Sequence, residues 1–223
     1  IVGVFSLMQF VFNPLWGRLS DIYGRKPILI FGLAGNVISY IVTGLVLVGV
    51  WKSVLLLFVS RALAGFFSAN IGAAMAYISD VTPPKDRSKG MGLIGAAFGL
   101  GFVFGPFIGG FLASRFGYGF PTFLSAGLSF LALLLTFLFV TESLPKELRR
   151  AASSVASFSL KNQVLKLVNA LKHPHVGFLI FLYFIIVFSI SNIFSTFQLY
   201  AESKDGFSYD IEGWGLTNDG KNL

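Results

Sequence analysis

The sequence has no cysteine, two histidines, and only 12% Asp, Glu, Lys and Arg among its 223 residues. Without cysteine there is no disulfide framework, no thiolate metal site and no cysteine nucleophile. The charge content is about half of what a soluble domain carries, which argues against a water-facing globule. No G-x-x-x-x-G-K-[ST] stretch occurs, so nothing in the chain points to ATP hydrolysis. An intramembrane hydrolase is also disfavoured. There is no G-x-S-x-G, and no histidine lies inside a confident apolar span, since His175 only borders the last one. His173 and His175, separated by Pro174, are too few donors for a closed metal site. No metal and no other cofactor is expected.

What the chain does have is apolar mass in long blocks. Hydrophobic residues make up 55% of it, and its 26 Phe exceed the needs of one water-soluble core of this size. A helix crossing the hydrocarbon layer needs about 20 apolar residues. Six stretches meet or approach that length, at roughly 1–16, 27–50, 53–79, 90–113, 119–141 and 176–199. No alternating barrel pattern is present, so each is expected to be a helix, the form that satisfies its own backbone in lipid. Twelve of the seventeen basic residues fall in joins on one side, including Arg18, Arg25, Lys26, Lys85, Arg87 and Lys89. Lys52, Arg115, Lys204 and Lys221 fall on the other, and Arg61 lies within a span. The side with twelve is expected to be cytoplasmic, so the net charge of +7 reports orientation and not nucleic acid. Between the fifth and sixth spans, Leu160, Val164, Leu167, Val168 and Leu171 recur at helical spacing among Lys161, Lys166 and Lys172. This predicts a basic amphipathic helix on the inner membrane surface.

Three motifs carry functional weight. Gly17-Arg-Leu-Ser-Asp21-Ile-Tyr-Gly24-Arg25-Lys26 reads as a tight cytoplasmic turn, with glycines for its dihedrals and an acid among bases. Arg61, in Arg61-Ala-Leu-Ala-Gly65, lies roughly 12 Å inside its span, a depth that marks a charge as functional. Gly101, Gly105 and Gly109 fall on one stripe of Gly101-Phe-Val-Phe-Gly105-Pro106-Phe-Ile-Gly109-Gly110, suited to close helix packing, and Pro106 predicts a bend.

Together these resemble the major facilitator superfamily. The first motif is similar to that family's loop between helices two and three, G-x-L-x-D-x-x-G-R-[RK], with Ile22 where a basic residue is common. The resemblance implies state-dependent contacts for Asp21 and Arg25, and charges at Asp80 and Arg87 that meet this loop. It implies a role in proton coupling or substrate binding for Arg61. Gly105-Pro106 resembles the fifth-helix motif of the family's exporters, and Glu142-Ser-Leu-Pro145 the ending of its sixth helix. The likeness is nearest to tetracycline/proton antiporters, although Ser39 stands before Tyr40 where those carry an acid.

The expected fold is therefore an all-α membrane protein, a partial major facilitator fold of about six transmembrane helices covering helices two to seven of twelve. Residues 1–145 are expected to form an N-terminal six-helix bundle lacking its first helix. Residues 146–174 form a cytoplasmic linker, and 175–223 the first helix and outer loop of a second bundle. The expected function is proton-coupled efflux of drugs or other small lipophilic molecules by a monomer in a bacterial inner membrane, driven by the proton gradient. A sugar or metabolite exporter and a non-transporting receptor-like relative are the alternatives. Its partners would be a small-molecule substrate, protons and the lipid bilayer. No Asp or Glu lies inside the six spans, so the coupling carboxylate belongs elsewhere in the full-length protein. Gln9, Asn13 and Asn192 are candidates to line a cavity, or else hydrogen-bond helix to helix.

Overall fold

The computed structural model describes residues 2–145, 147, 149, 176–189 and 192. Every regular element among the described residues is a helix. The chain divides into two compact units, Ile1–Phe158 and Ser159–Leu223, each treated by itself below. The basic amphipathic helix expected near residues 160–172 and the outer loop at 201–223 lie outside the described residues.

In the first unit, α1 is Val2–Tyr23, α2 Arg25–Leu47, α3 Val54–Ser68, α4 Ile71–Val81, α5 Arg87–Phe116 and α6 Phe120–Phe139. A 3-10 turn at Pro84–Asp86 leads into α5. In the second unit, α7 spans Val176–Ser189. Among the described residues, four stretches are long and apolar enough to cross a membrane: 25–47, 54–81, 84–116 and 120–139. The six expected spans reduce to four for plain reasons. The last third of α1 carries Arg18 and Asp21, and α7 is described over only part of its apolar run.

Two boundaries differ from the sequence reading. α1 does not stop where the apolar run ends but continues through Gly17, Ser20 and Asp21 to Tyr23. A helix keeps its backbone hydrogen bonds as it leaves the lipid, and Ser20 adds one of its own to the Gly17 carbonyl at 2.6 Å. The expected ten-residue turn thus shrinks to Gly24, whose φ of 107° favours glycine. The span expected at 53–79 is broken at Ala69–Asn70 into α3 and α4. α5, by contrast, runs on through Pro106 without interruption.

α2 packs against α6 and α3, and α1 against α3. The core lies toward the end where α1 meets α2. Trp16 is 2% exposed there, among Ile28, Leu29, Ala69 and Ala73, with Phe12, Phe66 and Phe67 around it. Trp16 and Phe12 each meet Phe66 edge-on, with ring centroids 5.2 and 4.8 Å away. Such pairs add about 0.5–1.5 kcal/mol beyond their buried area. A polar seam runs farther along the α2–α3 contact. Thr43 Oγ1 donates to Ser60 Oγ at 3.0 Å, and Ser68 Oγ to Asn36 Oδ1 at 3.0 Å. In lipid, such bonds are worth roughly 0.6 kcal/mol each and hold two helices in register. α5 buries none of its residues.

Candidate conformational-switch site

Four helix ends meet at the basic end of the first unit: the C-terminus of α1, the N-terminus of α2, and the segments ending α4 and α6. Arg25, the first residue of α2, is 8% exposed and holds them together. Its Nη1 lies 2.6 Å from Asp21 Oδ1 and donates to Ser20 Oγ at 2.6 Å, both on α1. Its Nε donates to Asp80 Oδ2, near the end of α4, at 3.1 Å. The same Asp80 oxygen accepts from Ser143 Oγ at 3.2 Å, just past α6. One guanidinium therefore faces two carboxylates and a hydroxyl from two helices, a use of its planar donor fork that a lysine ammonium does not match.

A third carboxylate works on the backbone. Glu142 Oε1 accepts from the Arg25 N–H at 2.9 Å and Oε2 from the Lys26 N–H at 3.3 Å. These amides belong to the first turn of α2, which has no side-chain cap of its own because Gly24 precedes it. Glu142 thus supplies the cap from 117 residues away, at the positive end of the helix dipole. Gly24 is required twice here. Its φ is positive, and a Cβ would overlap the Glu142 carboxylate. Arg149 closes the group. Its Nη2 lies 3.5 Å from Glu142 Oε2, its Nη1 donates to the Tyr23 carbonyl at 3.3 Å, and its Nε to the Leu144 carbonyl at 2.9 Å. Lys26 Nζ donates to the Phe137 carbonyl at 3.0 Å, fixing the turn to the end of α6.

The geometry sets a measurable expectation for Glu142→Gln. An amide keeps the shape but loses the charge that faces the helix end and Arg149, at a cost of about 1–2 kcal/mol. The apparent melting temperature of the full-length protein in detergent should fall by a few degrees, and an unchanged melt would remove the cap from the account.

The residues singled out from sequence divide into those gathered here and those that are not. Asp21, Gly24, Arg25, Lys26 and Asp80 are together. Gly17 lies inside α1 with nothing within 4 Å of a Cβ placed on it, so no close approach requires it. Arg87 opens α5, exposed, and makes no ion pair among the described residues. Arg61 is half-buried in the middle of α3, and its Nε is buried with no hydrogen-bond partner among the described residues. Gly65, one turn on, packs on α1 so closely that a Cβ would overlap the Phe5 carbonyl oxygen. Gly101, Gly105, Gly109 and Gly110 meet no described neighbour within 4 Å. Gln9 Nε2 donates to the Ser68 carbonyl at 3.4 Å, a helix-to-helix bond. Asn13 Oδ1 lies 3.3 Å from where Gly72 would carry a Cβ. In the second unit, Asn192 Nδ2 donates to the Phe188 carbonyl, four residues back, at 3.1 Å. Sequence reasoning missed Ser20, Ser143 and Arg149. It noticed Glu142 only as part of a helix ending, because a contact across 117 positions leaves no local signal.

Comparison with known proteins agrees with this architecture. The family model described as Major Facilitator Superfamily matches residues 1–218. Multidrug resistance protein 2 of Bacillus subtilis is 32% identical over 93% of this chain and 50% of its own length. Tetracycline resistance protein, class H, of Pasteurella multocida is 35% identical over 66% of this chain and 35% of its own. Among solved structures, that of the human organic anion transporter MFSD10 (TETRAN) superposes with a TM-score of 0.56 at 34% identity, covering 69% of this chain and 36% of that one. The chain thus spans half or less of the length of these relatives. With its helical fold, its apolar spans and a family match over nearly all of its residues, this chain belongs to the Major Facilitator Superfamily.

Proposed function

We propose that the full-length protein is a proton-coupled exporter of small lipophilic molecules that works by alternating access, and that the Arg25 cluster is the latch of one of its states. The observation that carries this is the single guanidinium engaging Asp21, Ser20 and Asp80 at once. Ends of different helices held by charge-assisted bonds make a contact that is either whole or broken, which a two-state rocking motion needs. The resistance-protein relatives support a drug-like substrate. Arg61, with an unpartnered Nε at membrane depth, would meet a proton-coupling carboxylate contributed from elsewhere in the protein. The glycine stripe of α5 would form a seam with a helix outside the described residues. A second reading takes an organic anion as the substrate. Arg61, whose Nε has no partner among the described residues, and the likeness to the organic anion transporter MFSD10 favour it.

Everted membrane vesicles containing the full-length protein, with an imposed proton gradient, separate these readings. A panel of lipophilic drugs and organic anions is added, and collapse of the gradient is followed by fluorescence quenching. Drug-dependent proton release that Asp21→Asn abolishes is the expected result. Release with anions alone would select the second reading. No response from folded, inserted protein would refute both.

A further inference from the structure

The opposite end of the first unit carries a feature that the latch does not use. α2 ends at Leu47, and the chain turns back through Val48–Ser53 to begin α3. The turn is pinned. The Val48 N–H donates to the Gly44 carbonyl at 2.9 Å, Val50 N–H to the Leu45 carbonyl at 3.1 Å, and Ser53 N–H to the Trp51 carbonyl at 2.9 Å. Ser53 Oγ then accepts from the Leu56 N–H at 3.3 Å and caps α3. Trp51 and Lys52, both exposed, are thereby held at a fixed height beside the helix ends. Below them opens an apolar groove of about 740 Å³ between α2 and α3, lined by Val42, Leu55, Leu56 and Val59 along with Trp51 and Lys52.

We propose that this groove is a binding site for one anionic phospholipid of the outer-facing leaflet, its acyl chain along Val42, Leu55 and Val59 and its phosphate on Lys52. Three observations carry it. The groove wall is apolar along the spans, so its occupant in the membrane is hydrocarbon. Trp51 marks the depth of the headgroup layer, where its amphipathic ring is most stable. Lys52 has no ion-pair partner among the described residues, and no Asp or Glu occurs anywhere between Asp21 and Asp80. A cation unpaired among the described residues, above an apolar groove, is complementary to a lipid that is negative at its head and apolar below. The long stem of lysine reaches the headgroup while lying on the groove wall.

The test uses the full-length protein in vesicles of brominated phosphatidylglycerol or brominated phosphatidylcholine, mixed with the unbrominated lipid. The Trp51 signal is isolated as the difference between the protein and its Trp51→Phe variant. Phosphatidylglycerol should quench Trp51 at lower mole fraction, with an apparent preference of about fivefold, as expected for one lysine near an anionic surface. Lys52→Gln should bring the preference close to one, and Lys52→Arg should keep it. Equal quenching by the two lipids would mean that the groove is merely wetted by hydrocarbon, and would overturn the proposal. So would a preference that survives Lys52→Gln. Lys52 is exposed and outside the helices, and circular dichroism of each variant verifies that it is folded.

Discussion

Replacing Arg25 by alanine in the full-length protein should lower substrate-dependent proton release by more than tenfold while leaving the protein inserted and helical. The substitution removes three side-chain contacts at once, to Asp21, Ser20 and Asp80. Hydrogen bonds to charged groups are worth about 1.5–3 kcal/mol each, and loss of even one shifts a two-state balance by an order of magnitude or more. Arg25→Lys should recover little of the activity. An ammonium carries the charge but cannot reach two helices with separate donors set by one plane. Part of the harm comes from Asp80, whose side chain is 29% exposed and would be left facing Ser143 without its cation. Asp80→Asn should therefore cost less in the Arg25→Ala background than in the wild type, and the difference is the coupling between the two side chains. Arg25→Lys with half or more of wild-type activity would mean that charge alone suffices, and the latch would have to be abandoned. Full activity in Arg25→Ala would do the same.

The latch shows which parts of this molecule are legible from a sequence. Apolar blocks mark the spans, because the bilayer imposes a length rule on each segment separately. Asp21, Gly24 and Arg25 were visible because the turn is local and its glycine answers a dihedral demand. The extent of α1 was not, since hydropathy marks where a helix leaves lipid and not where its hydrogen bonds stop. The break at Asn70 was also hidden, inside an apolar run that reads as continuous. Glu142 and Arg149 could not be placed, because capping of α2 by the end of α6 depends on how helices pack. Nor does a glycine announce its role. Gly65 and Gly105 both sit in small-residue motifs, yet only the first has a described neighbour.

That contrast gives the second large effect. Gly65→Ala should strongly reduce the yield of folded full-length protein, and Gly105→Ala should not. At Gly65 the obstacle is backbone: an added methyl overlaps the Phe5 carbonyl oxygen and lies 3.0 Å from Met8 Cβ. A side-chain tip could swing away, but a helix backbone moves only if α1 shifts as a whole. α1 is held to α3 by the Gln9–Ser68 bond and by the contacts of Phe12 and Trp16 with Phe66. Overpacking of this kind costs about 1–3 kcal/mol, and leucine in place of alanine costs more. The shift would also tilt α1 away from the contact that sets Asp21 beside Arg25, so stability and transport should fall together. A methyl added at Gly105 would meet no described atom beyond its own helix backbone within 4 Å, so the first unit gains no strain. If the α5 stripe is the seam proposed above, Gly105→Ala should lower efflux in protein that melts near the wild-type temperature. Size-exclusion profiles of a fluorescent fusion measure the first quantity, and vesicle proton release the second. A Gly65→Ala protein that folds and melts like the wild type would show that α1 and α3 do not approach as closely as this geometry requires. A Gly105→Ala protein with undiminished efflux would leave the α5 glycines without a part in transport.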